Sequence, residues 1–127
     1  MLVGNAGANL LNGGLGADTL LGLGGADTFA FTTALGGGNV DALNDFVHGT
    51  DKIALDDAIF DQLVPGALNP SLFHVGATAT DEDQRILYDQ ATGNLYYDAD
   101  GNGAGAAVLF ATLPNLPVLT ASDFTVI

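Results

Sequence analysis

The residues with the clearest chemistry are three oxygen-bearing side chains spaced nine positions apart, Asn9, Asp18 and Asp27. Each closes a glycine-rich segment: Gly4-Asn5-Ala6-Gly7-Ala8-Asn9, Gly13-Gly14-Leu15-Gly16-Ala17-Asp18 and Gly22-Leu23-Gly24-Gly25-Ala26-Asp27. Two residues beyond each stands a large apolar side chain, Leu11, Leu20 or Phe29. A glycine-rich turn leaves its carbonyl oxygens unshielded, and one carboxylate per turn adds charge. A hard cation such as calcium takes about six to eight such oxygens. Two stacked turns therefore offer two side-chain ligands and several carbonyls around one cavity. If alternate units stack, the first complete pair is Asn9 with Asp27, with carbonyls from Gly4, Ala6, Gly22 and Gly24. Asn9 brings a neutral oxygen, so this site is expected to be weaker than one with two carboxylates. Asp18, with Gly13 and Leu15, is half a site that Asp41 or a preceding chain has to complete.

Other polar residues carry weaker signals. Asp41, Asp45, Asp51 and Asp56 crowd together, either as caps on a solvated face or with two or three of them on one calcium ion. Asp98-Ala99-Asp100-Gly101-Asn102-Gly103 fits the first half of an EF-hand loop, which would make Asp98 and Asp100 ligands. The position where that loop needs a bidentate Glu is Leu109, which favours a wide hairpin turn instead. His48 and His74 lack the spacing of a zinc site, and Ser71 and Ser122 lack a nucleophile elbow. Tyr88, Tyr96 and Tyr97 fall on expected hairpin strands, where cross-strand packing is favoured over a carbohydrate platform. No catalytic constellation emerges, so the expectation is a protein that is not an enzyme.

The elements that must position these ligands are bounded by composition. The chain has 127 residues and a formal net charge of −13, with 15 acidic residues against Lys52 and Arg85. That charge opposes binding to nucleic acid or anionic lipid and suits a protein that recruits cations. All the acids but Glu82 are Asp, the short carboxylate that fits tight turns. There is no Cys, which removes disulfides and thiolate metal sites. No apolar run is long enough to span a bilayer, so membrane insertion is not expected. Residues 1–4 lack a basic and an apolar signal region, so a cleavable signal peptide is not expected.

The nine-residue units match the G-G-x-G-x-D-x-U-x period and resemble hemolysin-type RTX calcium-binding repeats. That resemblance implies a parallel β-roll in which two units make one coil, so that the turn at 4–9 lies beneath the turn at 22–27. The turn at 13–18 needs a later partner. Residues 31–36 do not fit the pattern, whereas Gly36-Gly37-Gly38-Asn39-Val40-Asp41 reads as a degenerate closing turn. The repeats are expected to stop there. From about Val40 the chain reads as short strands with turn punctuation. Among them is a hairpin of Arg85–Tyr88 with Leu95–Tyr97, and one or two helical turns are expected between Asp57 and Leu63. The fold expected is all-β: a short right-handed parallel β-roll over residues 1–39, capped by a C-terminal antiparallel β-sheet or sandwich over 40–127. A short roll cannot cover its own apolar end, so a cap is required.

The segment Val40-Asp41-Ala42-Leu43-Asn44-Asp45-Phe46-Val47-His48-Gly49-Thr50-Asp51-Lys52-Ile53-Ala54-Leu55 resembles the stretch after the roll in serralysin-type C-terminal domains. Ala54 replaces the usual Asp. The closing Ser122-Asp123-Phe124-Thr125-Val126-Ile127 is similar to the uncleaved signal of type I secretion substrates. The resemblance implies a secreted, extracellular module that is disordered at low calcium and folds outside the cell, with the type I secretion apparatus as partner. A second reading is a carbohydrate-binding module similar to the R-module of alginate epimerases, with a polysaccharide partner. An anionic polysaccharide needs basic residues, and only Lys52 and Arg85 are available.

Overall fold

Among the described residues, strands of two to five residues alternate with turns, because glycine, aspartate and proline interrupt the apolar runs. The computed structural model describes residues 1–101 and 107–127; Asn102 and Gly103 of the acidic loop lie outside the described residues. Among the described residues there is no α-helix, and the protein is all-β.

The first six strands are β1 (Leu2–Val3), β2 (Leu10–Leu11), β3 (Thr19–Leu21), β4 (Thr28–Phe31), β5 (Asp41–Leu43) and β6 (Lys52–Leu55). They alternate between two sheets. β1, β3 and β5 pair in parallel in one sheet, and β2, β4 and β6 pair in parallel in the other. Leu2 aligns with Leu20 and Leu20 with Leu43; Leu11 aligns with Phe29 and Phe29 with Ile53. Successive strand residues point to opposite sheet faces, so the apolar residue of each unit faces inward. Leu11, Leu20, Phe29, Leu43 and Ile53 are all buried.

Parallel stacking continues past the repeats, through β5 and β6. The sequence interval between stacked positions grows from 18 residues to 23 and 24. Asp41-Ala42-Leu43 and Asp51-Lys52-Ile53 thus take the places of Asp18-Thr19-Leu20 and Asp27-Thr28-Phe29 one coil further on. The period vanishes from the sequence there because longer loops carry the extra residues, while the strand positions are kept.

The remaining strands are β7 (Gly66–Ala67), β8 (Phe73–Val75), β9 (Ile86–Asp89), β10 (Asn94–Tyr97), β11 (Val108–Thr112) and β12 (Phe124–Val126). The seven-stranded sheet runs β1-β3-β5-β11-β10-β9-β8 and the five-stranded sheet β2-β4-β6-β12-β7. The C-terminal strands are therefore mixed, not wholly antiparallel as expected. β11 pairs in parallel with β5, β12 with β6 and β8 with β9. The β9–β10 hairpin is antiparallel, as its local turn composition predicts. Between Asp57 and Leu63 the chain makes turns, with Asp56 capping the Ala58 amide. One apolar cluster runs from Leu11 to Val126. Phe31 and Phe60 both pack edge-on against Phe110, and Phe60 also meets Tyr97.

Candidate metal centre

The same linkage recurs wherever one coil meets the next. The Asn9 amide donates to Asp27 Oδ1 at 2.8 Å, while the Asn9 carbonyl accepts from the Thr28 amide. The Asp18 amide donates to Asp41 Oδ1 at 3.0 Å, and its carbonyl accepts from Ala42. The Asp27 amide donates to Asp51 Oδ1 at 2.9 Å, and its carbonyl accepts from Lys52. Asp27, Asp41 and Asp51 are thus each tied to the preceding coil by a short side-chain acceptor. In Asp27 and Asp41 one carboxylate oxygen takes that bond and the other lies beside a glycine of the turn, whereas in Asp51 the other accepts from the Val47 amide.

That second oxygen distinguishes the site. Asp18 Oδ2 and Asp27 Oδ2 are buried and have no hydrogen-bond partner, and Asp27 is only 1% exposed. An unpaired buried acceptor costs about 1–3 kcal/mol, and a charged one more. The surrounding turns are shaped to leave room. A Cβ on Gly22 would collide with the Asp27 carboxylate. A Cβ on Gly13 would lie 2.9 Å from Asp18 Oδ2 and 3.0 Å from Asp41 Oδ2, so these two acids converge over Gly13. A Cβ on Gly4 would strike Asn9 Oδ1 and come within 2.9 Å of the Gly22 carbonyl oxygen. Gly13 and Gly22 clear the space beside the free oxygens of Asp18 and Asp27, while Asn9 Oδ1 at Gly4 accepts from the Asn5 amide at 2.8 Å.

The turn at 4–9 stacks on the turn at 22–27. Gly24 lies against Ala6, and Gly25, at φ +83°, lies so close to the Gly7 carbonyl that a Cβ would sit 2.7 Å from it. Gly4, Ala6, Asn9, Gly22, Gly24 and Asp27 are therefore brought together, and Gly13, Asp18 and Asp41 form a second group. Leu15 is exposed on the outer turn of that second group. Next to it the Gly16 amide donates to Asn39 Oδ1 at 2.7 Å, which fixes residues 36–41 as the partner turn.

Asp45 uses both oxygens on backbone amides, at 2.9 Å from Gly22 N and 2.7 Å from Leu23 N. Leu23 has a positive φ of 67°, costly for a residue with a Cβ, and Asp45 holds it there. Asp51 likewise accepts from Val47 as well as from Asp27. Its place one coil beyond Asp27 is marked in the sequence by Asp51-Lys52-Ile53, but six extra residues hide the period. Asp98 and Asp100 stand apart from this stack, at the end of β10. The Asp98 amide donates to the Arg85 carbonyl, and Asp98 Oδ1 accepts from the Asp100 amide at 3.2 Å.

Burial pushes the Asp41 carboxyl above its ordinary value of 3.8, and nearby Asp18 adds to the rise against the lowering effect of the Asp18 amide bond. Burial also raises Asp51, helped by Asp27 and Asp45 and opposed by two backbone hydrogen bonds. Asp98 is raised by burial and by its hydrogen bond with Asp100. Stacked acids that resist ionising lack a counter-charge.

Among the described residues no three His, Cys, Asp or Glu side chains gather into a metal cluster. The donor set here is two side chains per cavity, with backbone carbonyls beside them. Hard oxygen donors, free carboxylate oxygens and glycine cradles fit a hard divalent cation and not a soft one. Residues 1–29 match the model of the RTX calcium-binding nonapeptide repeat, described as four copies. No curated protein matches the chain.

Proposed function

We propose, for a chain whose first 29 residues match the RTX calcium-binding repeat, that it is a non-catalytic calcium-responsive folding module. In this reading its two stacks of turns form a short right-handed parallel β-roll that the C-terminal strands cap. The observation that carries the proposal is the pair of buried, unpartnered oxygens of Asp18 and Asp27 above glycine cradles. Calcium supplies the missing positive charge. Asn9 and Asp27 would hold one ion with the Gly4, Ala6, Gly22 and Gly24 carbonyls, and Asp18 and Asp41 a second with Gly13 and Leu15.

Without that charge the turns are expensive to order. Glycine-rich backbone loses about 1–2 kcal/mol of entropy per residue on fixing. Stacked carboxylates repel as well. A site with Kd of about 10⁻⁴ to 10⁻³ M, usual for extracellular modules, adds about 1.4 kcal/mol at tenfold excess of calcium. Two such sites suffice to tip a marginal fold. An extracellular setting, where calcium is abundant, and export by a type I apparatus reading Ser122–Ile127 belong to the same proposal. No helix among the described residues is long and apolar enough to cross a membrane. The polysaccharide reading finds little support, because both cations are committed to backbone carbonyls: Lys52 to Ser122 and Arg85 to Glu82.

The test is a calcium titration followed by far-UV circular dichroism and by amide exchange of residues 4–30. The expected result is a gain of β-signal and of protection in the submillimolar to millimolar range. An unchanged signal up to about 10 mM, well above the Kd of such modules, overturns it.

A further inference from the structure

The loop between Asp45 and Asp51 faces two ways. On one side it grips the turn at 22–27, through Asp45 on the Gly22 and Leu23 amides and Asp51 on the Asp27 amide. On the other side it grips the C-terminal segment. His48 Nδ1 lies 2.6 Å from Asp123 Oδ2, and the Gly49 amide donates to Asp123 Oδ1 at 3.0 Å. Asp123 is fully buried and also accepts from the Thr120 amide at 2.9 Å. Lys52, one residue past the loop, donates to the Ser122 carbonyl. The strand that Asp123 introduces, β12, is inserted between β6 and β7. One short loop, hydrogen-bonded on both sides, thus joins the turn carrying the free Asp27 oxygen to the segment that leads into the last strand.

We propose that this loop couples cation binding to seating of the C-terminal strand, with Asp123 as a positioning residue for the metal site. The inference rests on the calcium reading above. Ordering the turn at 22–27 fixes Asp45 and Asp51, which fixes His48 and Gly49 and so completes the seat for Asp123. Seating Asp123 in turn holds the loop that keeps Leu23 in its unfavourable conformation and aligns Asp27. Coupling of this kind is reciprocal: whatever factor calcium adds to the seating of β12, the seated β12 adds to calcium affinity. No atom of Asp123 needs to approach the ion.

Two measurements test it on the full chain. The first is amide exchange of residues 122–127 and of residues 10–30 in the wild-type protein across a calcium titration. Both segments are expected to gain protection with one midpoint. The second is isothermal titration of calcium into Asp123→Asn and into the milder His48→Ala. Asp123→Asn is expected to weaken calcium binding by about 5- to 150-fold, the usual span of coupling between sites, and His48→Ala by less. Protection of residues 122–127 that is already complete without calcium overturns the coupling, and so does a wild-type calcium midpoint in Asp123→Asn. Should Asp123→Asn not fold at any calcium concentration, the wild-type exchange profile and His48→Ala decide. Loss of calcium response in residues 10–30 as well defeats the underlying calcium reading instead.

Discussion

Asp27 performs two tasks with one carboxylate, and the tasks can be separated. Oδ1 supports the coil below through the Asn9 amide, while Oδ2 is buried without a partner. Asp27→Asn keeps an oxygen for the Asn9 amide and removes the charge. We predict at least a tenfold loss of calcium affinity by calorimetry, since a hard cation loses an anionic ligand. In EDTA the same variant is expected to melt no lower than wild type, because it no longer buries a charge near Asp51. An unchanged calcium affinity in this variant would show that the carboxylate acts as a hydrogen-bond acceptor alone. Acid gives a second test at this scale. Asp41 and Asp51 have folded pKa values raised above 3.8. The folded state then binds more protons than the unfolded state in the window between 3.8 and the raised values. Their contribution is fullest below the ordinary carboxylate value and is lost as pH rises through the folded one. The calcium-free protein is therefore expected to melt higher at about pH 4 than at pH 7. With calcium the order reverses, because the ion needs ionised ligands. Melting curves at the two pH values, with and without EDTA, check both signs.

The elements show what spacing encodes and what it does not. The nine-residue period made the first coils legible: glycine turn, acid at six, apolar residue at eight. It also offered Asp41, beside a preceding chain, as a partner for Asp18, because Gly36–Asp41 keeps a degenerate turn composition. Asp51 was readable only as one of several crowded acids, since the longer loop before it broke the count. The β9–β10 hairpin was legible from its own turn. The parallel partnerships of β11 with β5 and β12 with β6 were not, because nothing local marks a pairing about seventy residues apart. The clamp on Asp123 has the same cause. Within the stacked elements, Phe29 is the central rung, fully buried between Leu11 and Ile53 and tilted against Phe46 at 6.0 Å. Phe29→Ala is expected to cost about 3–5 kcal/mol, from lost burial and the cavity left behind. It removes no ligand, so the calcium needed for half-folding should rise while saturating calcium still restores the fold. Chemical denaturation at several calcium concentrations reads this directly; destabilisation below about 1 kcal/mol would mean that the inner stack is not packed as described.

At the scale of the molecule, the repeats and the C-terminal strands share one apolar cluster and two continuous sheets. A chain with a net charge of −13 resists collapse through its own repulsion. In the proposed reading, calcium at the turns lowers that repulsion and fixes the first turns, while β11 and β12 pair with β5 and β6. If the shared core makes folding cooperative, the far half of the protein must sense calcium bound at the near half. The tyrosines provide the reporter. Tyr88, Tyr96 and Tyr97 all lie in β9 and β10, the repeats contain none, and there is no tryptophan to mask them. Tyr88 is fully buried with its hydroxyl donating to the Pro117 carbonyl at 2.7 Å. Tyr97 receives the Gln62 amide at 2.9 Å, and burial pushes its phenol up to about 12. Rings fixed in this way give a near-ultraviolet circular dichroism signal that a mobile ring does not. We predict that this signal is weak in EDTA and grows with calcium at the same midpoint as the far-ultraviolet β-signal. A tyrosine signal already complete in EDTA would mean that residues after about 60 fold without the coils, and that the continuous core is assembled in two independent steps.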